Sequence, residues 1–246
     1  MKDGKVLMKV IPTMAMELPP LQPQVSLRMP QGIKFRTNSV RLPRNLSPML
    51  AYFVGFLRDG TLDKDERTFG VKIYQKDKKF LENVINNMSE TLFGKRAKIV
   101  NSDADFAWQL SSKPLSLFIR ENFDYPENFR QTHWDVPKVI LESPWEIQRW
   151  YIAGFCDAEA SIVRERDRNN SLAVYIFQSW HNQNGCPPLQ NIKRMMAAKG
   201  ITCYWPQLYK RDVNAYYLRF TYRQARNFIA EIPLLKKSAL PSIKKS

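Results

Sequence analysis

The sequence predicts an α+β protein built from two copies of one unit, and three observations carry that prediction. Trp150 to Ile162 reads WYIAGFCDAEASI, an apolar helix that ends in acids and runs into a strand. A looser copy, LAYFVGFLRDGTL, lies about one hundred residues earlier at Leu50 to Leu62, and repetition at a fixed interval marks a duplicated unit. After each copy the same order recurs: helix, strand, strand, helix, strand, strand, helix. Each antiparallel sheet then has helices on one face only, which makes the chain a pseudo-dimer.

Residues 1–45 precede the first unit. Prolines at 12, 19, 20, 23, 30 and 43, with Arg28, Lys34, Arg36, Arg41 and Arg44, suggest an extended basic arm that either tracks a phosphate backbone or holds no fixed structure. The first unit spans 46–121. Ser47-Pro48 reads as an N-cap followed by proline at the first helical position, and the helix should carry Ala51, Phe53, Val54 and Leu57 before stopping at Asp59-Gly60. Thr68 to Lys76 alternates, with Phe69, Val71 and Ile73 inward and Thr68, Lys72, Tyr74 and Lys76 outward. Asp77 caps a second helix that Gly94 should end. Strands near Ala97–Val100 and Phe106–Ser111 and a helix from Pro114 to Arg120 complete the unit.

A connector, 122–143, rich in Pro, Asn and aromatics, leads to the second unit at 144–233. Ser143-Pro144 again reads as a cap with proline behind it. Strands are expected at Ala160–Arg166 and Leu172–Ser179, and a helix at about Pro188–Lys199, ended by Gly200. Strands near Ile201–Pro206 and Val213–Tyr222 come next, and Gln224–Glu231 forms the last helix. A basic tail, 234–246, follows. The uncovered sheet faces are expected to show Lys72, Tyr74 and Lys76 in the first half and Arg164, Arg166, Tyr217, Arg219 and Thr221 in the second. A twisted basic ribbon of this kind can enter a major groove and meet phosphates and guanine edges.

Composition narrows the function. The 246 residues carry a formal charge of +15, and 44% are hydrophobic, so a folded core and a polyanionic partner are both expected. No apolar run approaches the roughly eighteen residues of a membrane helix, and Lys9, Pro12, Glu17 and Pro19 interrupt any export signal. The expected compartment is therefore cytoplasmic, in association with the nucleoid. Three scattered cysteines (Cys156, Cys186 and Cys203) and two histidines argue against a zinc centre.

The acids carry the chemistry. Ala51 and Gly55 are four apart, as are Gly154 and Ala158, and small residues at that spacing let two helix backbones approach. Each helix then delivers an acid, Asp59 or Glu159, at the negative end of its dipole. Two carboxylates brought close resist joint ionisation unless a cation intervenes, and a hard divalent ion such as Mg²⁺ answers that conflict. Gln75-Lys76 and Gln178-Ser179 end equivalent strands. Lys76 could stabilise phosphate charge, and Gln75 and Gln178 could orient metal-bound water.

With these residues in place, the chain resembles the LAGLIDADG homing endonucleases in their single-chain, two-motif form. The second motif is Ala153 to Ile162, approached through Val136-Pro137-Lys138-Val139-Ile140, and the first is Ala51 to Leu62. The likeness spans about residues 46 to 232. It implies two pseudo-symmetric αββαββα units with the motif helices packed at the centre and curved antiparallel sheets saddling a long site on double-stranded DNA. It also implies a monomer that cuts both strands with Mg²⁺ held by Asp59 and Glu159 beside Gly60 and Ala160, a site that other divalent cations such as Mn²⁺ or Ca²⁺ can occupy. Gln75, Lys76 and Gln178 match assisting polar positions. The first motif is one residue shorter between glycine and acid. If its register follows Gly55, Gly60 takes the acid's place. If it follows Asp59-Gly60-Thr61, Asp59 is retained and Val54 takes the close-packing position, and this second register is the expected one. The resulting expectation is a sequence-specific, metal-dependent DNA endonuclease. The alternative is a nucleic-acid binder of the same fold, an intron-RNA maturase or a regulator. An intein fits less well, because the chain ends Ile243-Lys244-Lys245-Ser246 without His-Asn.

Overall fold

The computed structural model describes residues 25–31, 40–62, 70–102, 105–126, 131–165, 171–180, 185–209 and 214–236. The Ser47 hydroxyl accepts the Leu50 N–H at 3.2 Å and starts α1 (Pro48–Phe56), which tightens into a 3-10 turn, Leu57–Asp59, and enters β1 (Gly60–Leu62). Strand β2 (Gly70–Gln75) follows with Val71, Ile73 and Gln75 buried and Lys72 and Tyr74 half-buried on the other face. Asp77 accepts from Phe80 N–H and caps one long helix made of α2 (Lys78–Phe80), a π-helical stretch (Leu81–Ile85) and α3 (Asn86–Phe93). Gly94 ends it at φ 67°, the left-handed conformation that favours glycine at this place. Strands β3 (Lys98–Ser102) and β4 (Asp105–Ser111) and helix α4 (Lys113–Asn122) close the first half.

The second half repeats the plan. Helix α5 (Lys138–Leu141) precedes α6 (Trp145–Glu159), β5 (Ala160–Glu165), β6 (Ser171–Ser179), α7 (Pro187–Ala197), β7 (Gln207–Leu208), β8 (Ala215–Thr221) and α8 (Arg223–Glu231). The two antiparallel sheets run β1-β2-β4-β3 and β5-β6-β8-β7, the same topology twice.

Helices α1 and α6 pack at the centre of one continuous core. A Cβ on Gly55 would lie 2.2 Å from the Tyr151 carbonyl oxygen, and one on Gly154 would lie 2.0 Å from the Tyr52 carbonyl oxygen. The glycines are therefore equivalent, and each is required by a facing backbone. Tyr52 meets the Trp150 ring edge-on, both residues lying ahead of the crossing glycine of their own helix, and Arg58 lies 5.0 Å from the Phe155 ring beyond it. The helices thus run side by side in the same sense.

This corrects the register expected for the first motif. Gly55, and not Val54, makes the close approach, yet Asp59 still directly precedes β1 as Glu159 precedes β5. The 3-10 turn reconciles the two landmarks. One α-helical step of about 1.5 Å and three 3-10 steps of about 2.0 Å carry the chain as far as five α-helical steps, roughly 7.5 Å in each half.

Other differences have local causes. Ser143 is not a cap: its hydroxyl donates to the Val139 carbonyl, and Pro144 takes the cap position of α6. The connector is partly helical, with a 3-10 turn (Gln131–His133) besides α5. Residues 201–206 are not a strand; the edge strand forms later, at Gln207–Leu208. The described part of the arm is bonded to itself, Leu27 N–H donating to Arg44 O, and to α3 and the end of α4: Arg41 N–H donates to Phe93 O, and Arg28 exchanges backbone hydrogen bonds with the Asn122 side chain. The expectations for Lys34, Arg36, Thr68, Phe69, Arg166 and Val213 lie outside the described residues.

Candidate functional site

Burial and pairing make the Asp59 side of the helix pair a charged network beside a mostly apolar core. Gln75, buried at the end of β2, donates through Nε2 to Asp59 Oδ2, and the Lys236 ammonium donates to Gln75 Oε1. Burial pushes the Asp59 carboxyl up to about 6; Lys236 lowers it, the charge of Asp105 raises it again, and the bond from Gln75 lowers it. Asp105, the first residue of β4, has a buried Oδ1 with no hydrogen-bond partner among the described residues.

Lys236 reaches this place because its segment is clamped to α6. Asp157 is fully buried, and its Oδ2 accepts from Tyr52 Oη at 2.7 Å, Leu235 N–H at 2.6 Å and Lys236 N–H at 3.0 Å. Burial, followed by the Asp157 charge and hydrogen bond, raises the Tyr52 phenol well above its ordinary value, so it stays a donor. The first motif has a counterpart in Arg58, which is fully buried, lies 4.7 Å from the Trp134 ring and donates to Asp135 O at 2.9 Å. Each motif helix thus fixes the stretch that follows its own half: Arg58 the connector, Asp157 the C-terminal stretch.

The second half repeats part of the first. Glu159 ends α6 where Asp59 ends the 3-10 turn, and Ala160 opens β5 where Gly60 opens β1, each in register with an isoleucine, Ile176 and Ile73. Gln178 is buried at the end of β6 like Gln75, but its Nε2 donates to Ser179 O at 3.0 Å and its Oε1 has no partner among the described residues. The expected residues therefore divide. Asp59, Gln75, Glu159 and Gln178 take matched positions, whereas Lys76 is exposed and the cation at Asp59 is Lys236.

The uncovered sheet faces differ in chemistry. Lys98, Gln109, Lys72 and Thr61 form one cross-strand row on the first, with Tyr74 beside Ala107 in the next. On the second, Tyr175, Phe177 and Tyr217 share a face with Arg219 and Thr221, and their ring centroids lie 5.8–6.0 Å apart in every pairing. The polar groups there are tied internally: Arg219 pairs with Glu165 at 2.6 and 2.8 Å, Tyr175 donates to Glu165, and Tyr217 donates to Gln207 at 2.7 Å. Arg164 does not join them. It pairs with Leu172, on the parity of the inward Val174 and Ile176, and so belongs to the helix-covered side at its exposed end.

Among the described residues no three His, Cys, Asp or Glu side chains converge on one point. The donors that do gather are carboxylates, backbone carbonyls and amides. That set fits a hard divalent cation completed by water, and the raised Asp59 together with the unpartnered Asp105 oxygen are what such a charge would relieve.

The sequence missed Lys236, Asp157, Arg58 and Asp105. Asp157 carried a signal, being a second acid in an apolar helix; Lys236 carried none beyond membership of a basic tail.

No family model matches the sequence. Among curated proteins, the chain is similar to the homing endonuclease I-ApeI of Aeropyrum pernix, 30% identical over 118 residues that make up 47% of this chain and 53% of that protein. It is also similar to a component of the A-type ATP synthase of Pyrococcus horikoshii, 30% identical over 168 residues, 65% of this chain and 16% of that protein. The chain thus spans about half the length of the first relative and a small part of the second. Its fold matches that of I-DmoI in complex with DNA and Mn, at a TM-score of 0.55 and 20% identity over 80% of this chain and 100% of that one. The complex of I-DmoI with DNA and Ca gives 0.56 at 19% identity over 76% of this chain and 90% of that one.

Proposed function

We propose, from the premise that the chain has the fold of I-DmoI, is similar to the homing endonuclease I-ApeI and resembles the LAGLIDADG homing endonucleases at two motifs, that it is a sequence-specific endonuclease of double-stranded DNA. The observation that carries this reading is the paired placement of Asp59 and Glu159. Each directly precedes a strand, four and five residues beyond the glycine at which its helix crosses the other.

Asp59 and Glu159, with the carbonyls of Gly60 and Ala160, would hold divalent metal; I-DmoI is described in complex with DNA and Mn, and with DNA and Ca. Bound there, Mg²⁺ or a similar ion supplies charge that polarises the phosphate and stabilises both the attacking and leaving oxygens. The protein's own groups do the rest. Gln75 fixes one Asp59 oxygen and leaves the other for ligation. Gln178 accepts a hydrogen bond from the attacking water and orients it. Water attacks phosphorus in line and gives its proton to bulk solvent, while the 3′ oxygen leaves with the bonding pair and takes a proton from solvent. Lys72, Lys98 and Gln109 on one sheet, and the aromatic face on the other, lie along the duplex and read it.

The test is cleavage of the gene's own flanking DNA with Mg²⁺ and with chelator. Mg²⁺-dependent fragments are expected, and Glu159→Gln should abolish them while binding persists. Retained cutting by that variant removes the assignment. A binding-only reading draws on the rings of Tyr175, Phe177 and Tyr217, which suit stacking on unpaired bases. It would be favoured by tight intron-RNA binding without cleavage of any DNA.

A further inference from the structure

Gln75 and Gln178 hold equivalent positions, yet their surroundings differ. Both are buried near strand ends, two residues beyond the isoleucine in register with the residue that follows a motif acid. Gln75 is satisfied at both ends of its amide, donating to Asp59 and accepting from Lys236, whereas the Gln178 oxygen finds no partner among the described residues. A primary amide can turn end for end. A carboxylate that only accepts already favours the NH₂ end, and a donor held on the amide oxygen adds to that preference and fixes it.

Lys236 is such a donor, with no acceptor capacity of its own. It is also held in place: its own N–H and that of Leu235 sit on the buried Asp157 carboxylate, and its ammonium lies 3.4 Å from the Asp157 carbonyl. The clamp is anchored on the second motif helix while the ammonium acts on the first half's glutamine. We propose that Lys236 is a positioning residue of the Asp59 half-site, locking the Gln75 amide toward Asp59, so that the two half-sites are chemically unequal.

Two strands cut by unequal sites are cut at unequal rates. The half with the locked amide presents its acid in one orientation, and the other must order its glutamine or recruit water. This consequence rests on the endonuclease reading; the amide lock itself does not.

The experiment therefore has two arms. In the metal-free, DNA-free protein, the Gln75 side-chain NH₂ signals are assigned by their loss in Gln75→Ala. Lys236→Met should move them toward the positions of solvent-exposed glutamines, Lys236→Arg should hold them near wild type, and the Gln178 signals should stay put. Unmoved Gln75 signals in a folded Lys236→Met overturn the proposal. Should that variant fail to fold, Lys236→Ala serves in its place.

In the second arm, single-turnover cleavage is followed with each strand labelled, after Asp59→Asn has identified the strand that depends on Asp59. Lys236→Met should slow that strand about tenfold or more relative to the other, with target affinity in Ca²⁺ unchanged and Lys236→Arg restoring the ratio. Equal slowing of both strands, or none, overturns the proposal. Absence of wild-type cleavage on any DNA sinks the endonuclease reading alone, since the amide signals still decide the lock.

Discussion

At the scale of single residues, the protein keeps its polar groups where burial penalises them and then compensates. Asp59 shows the penalty most directly. At low pH its carboxyl is protonated in both the folded and unfolded chains and costs nothing. As pH rises the unfolded chain gives up its proton near the ordinary value of 3.8, while the folded chain holds it up to about 6. Across that window stability falls, and above it the penalty is complete, at most about 3 kcal/mol. Asp59→Asn is therefore expected to raise the melting temperature of the metal-free protein by several degrees at about pH 7.5 and to leave it unchanged near pH 3.5, while cleavage is lost; calorimetry at the two pH values checks the first part. Asn86 is the opposite case, a buried amide whose oxygen accepts two hydrogen bonds. Its oxygen accepts from Trp108 Nε1 at 2.8 Å and from Ala97 N–H at 2.9 Å, just where the π-helical stretch ends. Asn86→Ala leaves both donors unpaired and should cost about 2–4 kcal/mol in urea denaturation, with the fold retained.

At the scale of elements, the helix pair decides most. Gly55→Ala or Gly154→Ala puts a methyl group within about 2 Å of a facing carbonyl, and that carbonyl belongs to a helix that cannot move alone. Each substitution should cost at least about 3 kcal/mol, read from the denaturation midpoint at unchanged slope. These elements were legible beforehand because their signals are local. Alternation at Val71–Ile73 gave a strand, Asp77 and Gly94 bounded a helix, and small residues four apart announced a crossing. Where the reading failed, the deciding partner was distant. Nothing near Ser143 tells it to bond Val139 instead of capping α6. Arg164 looks from its charge like a companion of Arg219 on the outer face, although counting by twos from Ser161 separates them. Lys236 and Asp59 lie far apart in sequence, and no periodicity connects residues that meet only through a clamp on a third element.

At the scale of the whole molecule, charge sets the long-range behaviour. With +15 on 246 residues, duplex binding should release many counterions. If six to ten phosphates are contacted, affinity should drop by about 10³–10⁵ between 50 and 200 mM salt, a slope that filter binding reads directly. A slope near zero would mean that the basic faces are not where the duplex lies. Both halves share one core through α1 and α6, so denaturation should be a single transition by fluorescence and by far-UV dichroism alike. The 3-10 turn at Leu57–Asp59 also bears on how the two copies can diverge. By changing pitch, a helix end can lose a residue and still deliver its last side chain to the same depth, so the first copy tolerates a deletion that residue-by-residue matching scores as damage. Between duplicated halves, then, the quantity held constant is a length in ångströms, and selection can keep that length fixed while the number of amino acids spanning it drifts.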